Sequence, residues 1–111
     1  MDKFPGYERY QTELKMARTA RLAGNEGKAR VRARRAAGIV VGEYLKQNGY
    51  PLSDPSAYAL LKYFHSLHEV PEEIRQVAEH FLLRVDKDQN LPVPVDLIAE
   101  AAWLENTLLS R

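Results

Sequence analysis

Five amphipathic segments set apart by glycine and proline breakers predict an all-α protein, an antiparallel bundle of about five helices with a long N-terminal helical hairpin. Two observations support this class. Apolar residues recur at helical spacing in every segment, and no segment sustains strand alternation. The breakers Gly24-Asn25-Glu26-Gly27, Asn48-Gly49-Tyr50-Pro51, Val70-Pro71 and the stretch from Asp86 to Pro94 leave only short links. With 111 residues the chain has room for one core, so residues 1–111 are read as a single domain.

The first segment carries Tyr7, Tyr10, Leu14 and Ala17 on one face and runs to about Ala23, where Gly24 is placed to end it. Tyr7 and Tyr10 have the rings needed to stack on bases, but their spacing assigns them to the core. The second segment, from about Glu26 to Gln47 behind an Asn25 cap, is the most informative. At about 100° per residue, Ala29, Ala33, Ala36, Ala37, Val40 and Tyr44 share one face. Four of these six are alanine, which lets a neighbouring helix approach closely. Gly38 and Gly42 lie off that face, and each weakens an isolated helix by about 1 kcal/mol relative to alanine. Their presence predicts a further close contact, with a second subunit as one candidate and bundle packing that overrides propensity as the other.

The third segment places Ala57, Leu60, Leu61, Phe64 and Leu67 together, with Asp54 positioned to cap and Pro55 at the first helical position. The fourth opens on Pro71, sets Glu72 and Glu73 against the positive end of the helix dipole, and carries Ile74, Val77, Ala78, Phe81 and Val85. The fifth opens near Pro94 with Asp96 in its first turn and carries Leu97, Ala101, Leu104 and Leu108.

Sixteen Lys/Arg against fifteen Asp/Glu leave a formal charge of +1. That balance hides an asymmetry. Residues 1–48 hold eleven basic and five acidic side chains, a net of +6, and residues 49–111 hold five and ten, a net of −5. In the second segment Lys28, Arg32, Arg35 and Lys46 follow one line, with Arg30 and Arg34 on the opposite border of the apolar face. Such a row suits a phosphate backbone, and Lys15, Arg18 and Arg21 of the first segment would extend it. The alternative is a solvated face, or arginines paired with the acidic half of the chain.

Several chemistries are excluded or unsupported. The absence of cysteine removes disulfides, thiolate metal sites and thiol nucleophiles. The longest run without a polar side chain, Ala36 to Gly42, is seven residues, too short to span a membrane. The opening Met-Asp-Lys-Phe-Pro lacks the apolar stretch of a signal peptide, so a cytoplasmic location is expected. His65 and His68 sit one turn apart near Glu69 and Glu72, without a third metal ligand at a defined spacing. Asp86-Lys87-Asp88-Gln89-Asn90 begins like a calcium loop but continues with Leu91 and Pro92, and ends on Leu97 where a bidentate glutamate belongs. Gly24 and Gly27 lack the lysine-serine pair of a phosphate loop. No metal and no cofactor are expected.

The stretch Ala-Gly-Asn-Glu-Gly-Lys-Ala-Arg-Val-Arg-Ala-Arg-Arg-Ala-Ala-Gly at residues 23–38, leading into Glu43-Tyr44-Leu45-Lys46, resembles the small-residue second helix of the HEPN superfamily (higher eukaryotes and prokaryotes nucleotide-binding domain). The proline-opened stretch from Val70 to Glu79 is similar to a later helix of that group. The resemblance covers roughly residues 7–108 and implies a stand-alone bundle that dimerises. It also implies a nucleotide, an RNA or a cognate nucleotidyltransferase-type protein as partner, often within a toxin–antitoxin pair. Ribonuclease members carry an arginine, four to six residues, then a histidine, and Arg75 with His80 fits that spacing. In that role Arg75 stabilises the scissile phosphate and His80 assists proton transfer. Five residues apart on a helix, however, the two side chains diverge by about 140°.

The leading expectation is therefore a non-catalytic helical binding or interaction module. A metal-independent ribonuclease using Arg75 and His80 is the alternative. An RNA- or DNA-binding protein using the basic helix is a third reading.

Overall fold

The computed structural model describes residues 3–88 and 90–109 and places five helices: α1 (Tyr7–Leu22), α2 (Glu26–Gln47), α3 (Ala57–His65), α4 (Glu72–His80) and α5 (Leu97–Leu109). Gln89, within the polar stretch considered above, lies outside the described residues. The two long helices stop for the same local reason. Gly24 and Gly49 take the left-handed conformation at φ 80° and 79°, which L-residues with a Cβ adopt only at a cost. At each end two backbone bonds close the last turn: Gly24 N to Arg21 O with Asn25 N to Ala20 O, and Gly49 N to Lys46 O with Tyr50 N to Leu45 O. Asn25 then caps α2 by accepting from the Lys28 amide at 3.0 Å, so three residues turn the hairpin.

Three boundaries differ from the expected ones. Ser56 rather than Asp54 caps α3, accepting from the Ala59 amide, while Asp54 accepts from Ser56 N and shapes the approach. Asp96 lies just before α5 instead of within its first turn, and its Oδ1 accepts from the amides of Ile98 and Ala99. Helix α4 ends at His80, a turn earlier than its apolar pattern suggested, and leaves Val85 exposed in the connection to α5. His68 lies beyond the end of α3 and is exposed.

Helix α2 is the centre of the bundle and packs against α1, α3 and α5, with α4 bridging α3 and α5. Five of the six residues of its predicted face, Ala29, Ala33, Ala36, Ala37 and Val40, have no exposed surface, and the sixth, Tyr44, is partly buried. Val41 and Leu45 are fully buried as well, so the second half of the helix is enclosed on more than one side. Tyr10 is buried with Phe4 and Tyr7 in an aromatic cluster, ring centroids 5.4 to 6.0 Å apart, which places these rings in or against the core. Burial pushes the Tyr10 hydroxyl above its ordinary value, and the charge of nearby Glu105 adds to that shift.

The hairpin is antiparallel: Ile39 stands beside Gly6, Arg32 pairs with Glu13, and Arg21 pairs with Glu26. The other neighbours of α2 run in its own direction. Gly38 meets Ala57, Gly42 meets Leu60 and the Tyr44 ring packs edge-on against Phe64, so contacts advance together along α2 and α3. Helix α5 starts beside the hairpin turn, where Asp96 meets Arg21, and reaches Tyr10 at Glu105. For α3 the chain returns along α2 through residues 48–56; for α5 the return is made by α4, whose last residue, His80, meets Glu100 in the first turn of α5.

The two glycines of α2 are accounted for within the chain. A Cβ on Gly38 would stand 2.6 Å from Ala57 Cβ and 2.7 Å from its Cα, so the backbones approach too closely for any side chain. The contact they signalled is thus with α3, and the glycines no longer point to a second subunit. Gly38→Ala is expected to destabilise the fold by about 2 kcal/mol, because overpacking against backbone exceeds the gain in helix propensity. Gly42→Ala should stay within about 1 kcal/mol of the parent, since its Cβ meets only the movable tip of Leu60 at 3.1 Å. Urea midpoints of the two variants check both values.

Candidate functional site

Where the first half of α2 faces the connection that follows α4, the surface opens into a groove of about 670 Å³. Arg30 and Arg34 line it from α2, His80 and Arg84 from the end of α4 and beyond, and Tyr58 from the start of α3. No Asp or Glu among the described residues lines it. Tyr58, Val31 and Val85 expose apolar surface along the same groove.

Three polar tethers hold its walls. Arg34 Nε donates to the carbonyl of Phe81 at 3.0 Å, which pins the end of α4 to α2. His80 Nδ1 lies 2.8 and 3.0 Å from the two carboxylate oxygens of Glu100, which joins α4 to α5. An ionised carboxylate only accepts, so Nδ1 carries the hydrogen and Nε2 is left as the basic ring nitrogen. The third tether is Arg21, whose guanidinium donates to Glu26 at 2.7 and 3.1 Å and to Asp96 at 2.9 Å. It ties α1, α2 and α5 together at the end of the groove marked by Gly27 and Leu97.

The predicted residues are divided by the fold. His80 lines the groove, but Arg75 does not, and its Nε donates to the Val70 carbonyl at 3.1 Å ahead of α4. The two share no hydrogen bond, as their divergence on one helix implied. The basic row of α2 is likewise broken. Arg32 pairs with Glu13 at 3.2 Å with both side chains largely buried, and Lys46 approaches Glu43 at 3.7 Å. Lys28 and Arg35 are exposed with no acidic partner among the described residues. Arg35 and Lys46 border a separate cleft against α1 and α3. The cations of this row therefore divide between pairs made within the helical hairpin, Arg32 with Glu13 and Lys46 with Glu43, and the surface positions Lys28 and Arg35.

The sequence reading missed Arg84, Tyr58 and Glu100 as site residues. Glu100 is twenty positions from His80, and no spacing rule joins them. Glu43 was also missed, although a signal existed. It lies seven residues after Ala36, within about 20° of it on the apolar face, where a carboxylate is out of place. His65 Nε2 is 3.4 Å from Glu79, and no group of three His, Asp or Glu side chains suited to a metal occurs among the described residues. No described helix is long and apolar enough to cross a membrane.

No protein-family model matches the chain, and no curated protein or solved structure does so.

The Arg21 tether makes the groove's frame sensitive to acid. Its hydrogen bonds hold Glu26 below the ordinary carboxylate value, against a smaller opposing effect of burial. For Asp96, burial works against the charge, and Arg21 with the Ala99 and Ile98 amides outweighs it, so that carboxyl is also held low. Groups with lowered folded values stabilise fully above their unfolded values and lose that contribution as pH falls through the folded ones. Stability is therefore expected to decline as pH drops below about 4.5. Arg21→Gln should cost about 1 kcal/mol at neutral pH, a modest figure because all three groups are more than one-third exposed. It should also flatten the decline in acid, which thermal melts between pH 7 and pH 3 would record.

Proposed function

We propose that the protein is a small, HEPN-like helical binding module that takes a single-stranded nucleic acid in the groove between α2 and the α4–α5 connection, without chemistry. The observation that carries this reading is the charge of the groove: three arginines and a histidine with no acidic side chain among the described lining residues. Arginine forks suit phosphate oxygens, and the half-exposed Tyr58 ring offers a base a stacking surface beside them. Arg34 is already oriented by the Phe81 carbonyl, so less side-chain entropy is lost when a phosphate docks.

Fluorescence anisotropy with a labelled RNA oligonucleotide tests this. Affinity should fall with salt at about −0.7 in log–log slope per contacted phosphate, so about −2 for three contacts. Arg84→Ala should reduce that slope by about one contact. Tyr58→Ala should weaken binding about ten-fold at unchanged slope, the expectation for a lost stacking contact. Absence of binding at low salt removes the proposal.

One observation favours a second reading, ribonuclease activity. The Glu100 carboxylate orients His80 and leaves Nε2 basic within an arginine-lined groove, an arrangement able to take a proton from a ribose hydroxyl. The phosphate would then be held by Arg34 or Arg84 rather than Arg75. In chelator, labelled RNA cleaved by the parent but intact with His80→Ala would favour the enzyme, and Arg75→Ala should retain that cleavage. Uncleaved RNA with the parent protein supports the non-catalytic module. The homodimer implied by the resemblance is tested by mass in solution, where a strictly monomeric value removes it.

A further inference from the structure

A second cleft, of about 500 Å³, lies between the start of α1, the second half of α2 and the start of α3, and shares no lining residue with the arginine groove. Its composition is different in kind. It is bordered by carboxylates and cations together: Glu13 and Glu43 on one count, Arg9, Arg35 and Lys46 on the other. Ile39, Leu52 and Leu60 add apolar wall.

Glu43 is the distinctive member, since it is the one buried charged side chain among the described residues, at 8 % exposure. Removing a carboxylate from water is costly unless its oxygens are well bonded. Here they are only partly so. Oε2 accepts from Gln47 Nε2 at 3.0 Å, while Oε1 has only Lys46 Nζ, at 3.7 Å and beyond hydrogen-bond length. No described side-chain polar atom is both sealed from solvent and unbonded, so Oε1 keeps an opening. Glu43 is among the residues that line the cleft. A half-satisfied carboxylate on the apolar face of a core helix does little for stability and is suited to accept a hydrogen bond from a ligand.

The cations answer the other half. Arg9 and Arg35 have no acidic partner among the described residues, and both line the cleft. A polyanion would meet Glu13 and Glu43, and a simple cation would meet three positive side chains. A small molecule carrying both charges satisfies each set. From this we infer that the cleft is a binding site for a small zwitterion of the α-amino-acid class with an apolar side chain. Its ammonium group donates to Glu43, its carboxylate lies between Arg9 and Arg35, and its side chain packs on Ile39, Leu52 and Leu60. The volume lies within the range usual for small-ligand sites.

An amide-resolved NMR titration of the full chain with L-leucine tests the assignment, with isocaproate (the same molecule without its amine) and isoamylamine (without its carboxylate) as controls. Saturable shifts centred on Gly6, Gly42 and Glu43 are expected with leucine, and at least about ten-fold weaker binding with either control. Glu43→Gln should weaken leucine binding about ten-fold while leaving the unfolding midpoint equal or higher, an outcome that a purely structural carboxylate would not produce. Arg35→Ala, at an exposed position that the fold does not need, should weaken it similarly. The inference is overturned by an absence of shifts at millimolar leucine, by isocaproate or isoamylamine binding as well as leucine, or by unchanged affinity in both variants.

Discussion

The contact on which the rest of this bundle depends is the approach of Ala57 to Gly38. With 2.6 Å between Ala57 Cβ and the place a Gly38 Cβ would occupy, α3 rests directly on the backbone of α2. That closeness sets the direction of α3, since Gly42 and Tyr44 then meet Leu60 and Phe64 in turn. It also places the neighbours of Ala57 on two different surfaces. Tyr58 reaches the arginine groove, while Ala57 and Leu60 wall the mixed-charge cleft. Both candidate sites are thus consequences of one seam between two backbones.

Around that seam the small-residue character of α2 does a second job. Alanines at positions 29, 33, 36 and 37 have no exposed surface, so α2 can sit at the centre with α1, α3 and α5 close about it. Little of the core volume comes from α2 in its first half. The bulk is supplied by Tyr10, Leu14, Phe64 and Leu104 from the surrounding helices and by Phe81 just after α4. This division frees the flanks of the same helix for charged side chains. Arg34 can anchor the end of α4, and Arg32 can lie against α1 with Glu13.

The polar tethers have a shared logic. Arg21, Arg34 and His80 each bond a group from a different helix or connection, and each does so at the edge of the same groove. Exposed ion pairs such as those of Arg21 add little to stability singly. The effect of the three tethers is geometric, since they hold the irregular stretch after α4 in register with α2 and α5. Arg75, by contrast, bonds the Val70 carbonyl just ahead of its own helix, and so is committed to local structure rather than to the groove.

Local chemistry was sufficient to read the helices from the chain. Left-handed glycines at 24 and 49, the Asn25 cap and the alanine face of α2 are short-range signals, governed by backbone sterics and helical period. The same rules misplaced the starts of α3 and α5 by a residue or two, where Asp54 and Ser56 each bond a nearby amide and Asp96 bonds two, and erred by a turn at α4, whose apolar pattern continues past its last helical residue. What short-range rules could not supply was direction and partnership. The parallel run of α3 and α5, the junction of His80 with Glu100 and the meeting of Arg9 with Glu43 in one cleft join residues twenty or more positions apart. Those pairings depend on which helix lies beside which, a choice made by side-chain volume at the Gly38 seam and by the length of the connections, and only the folded chain expresses it.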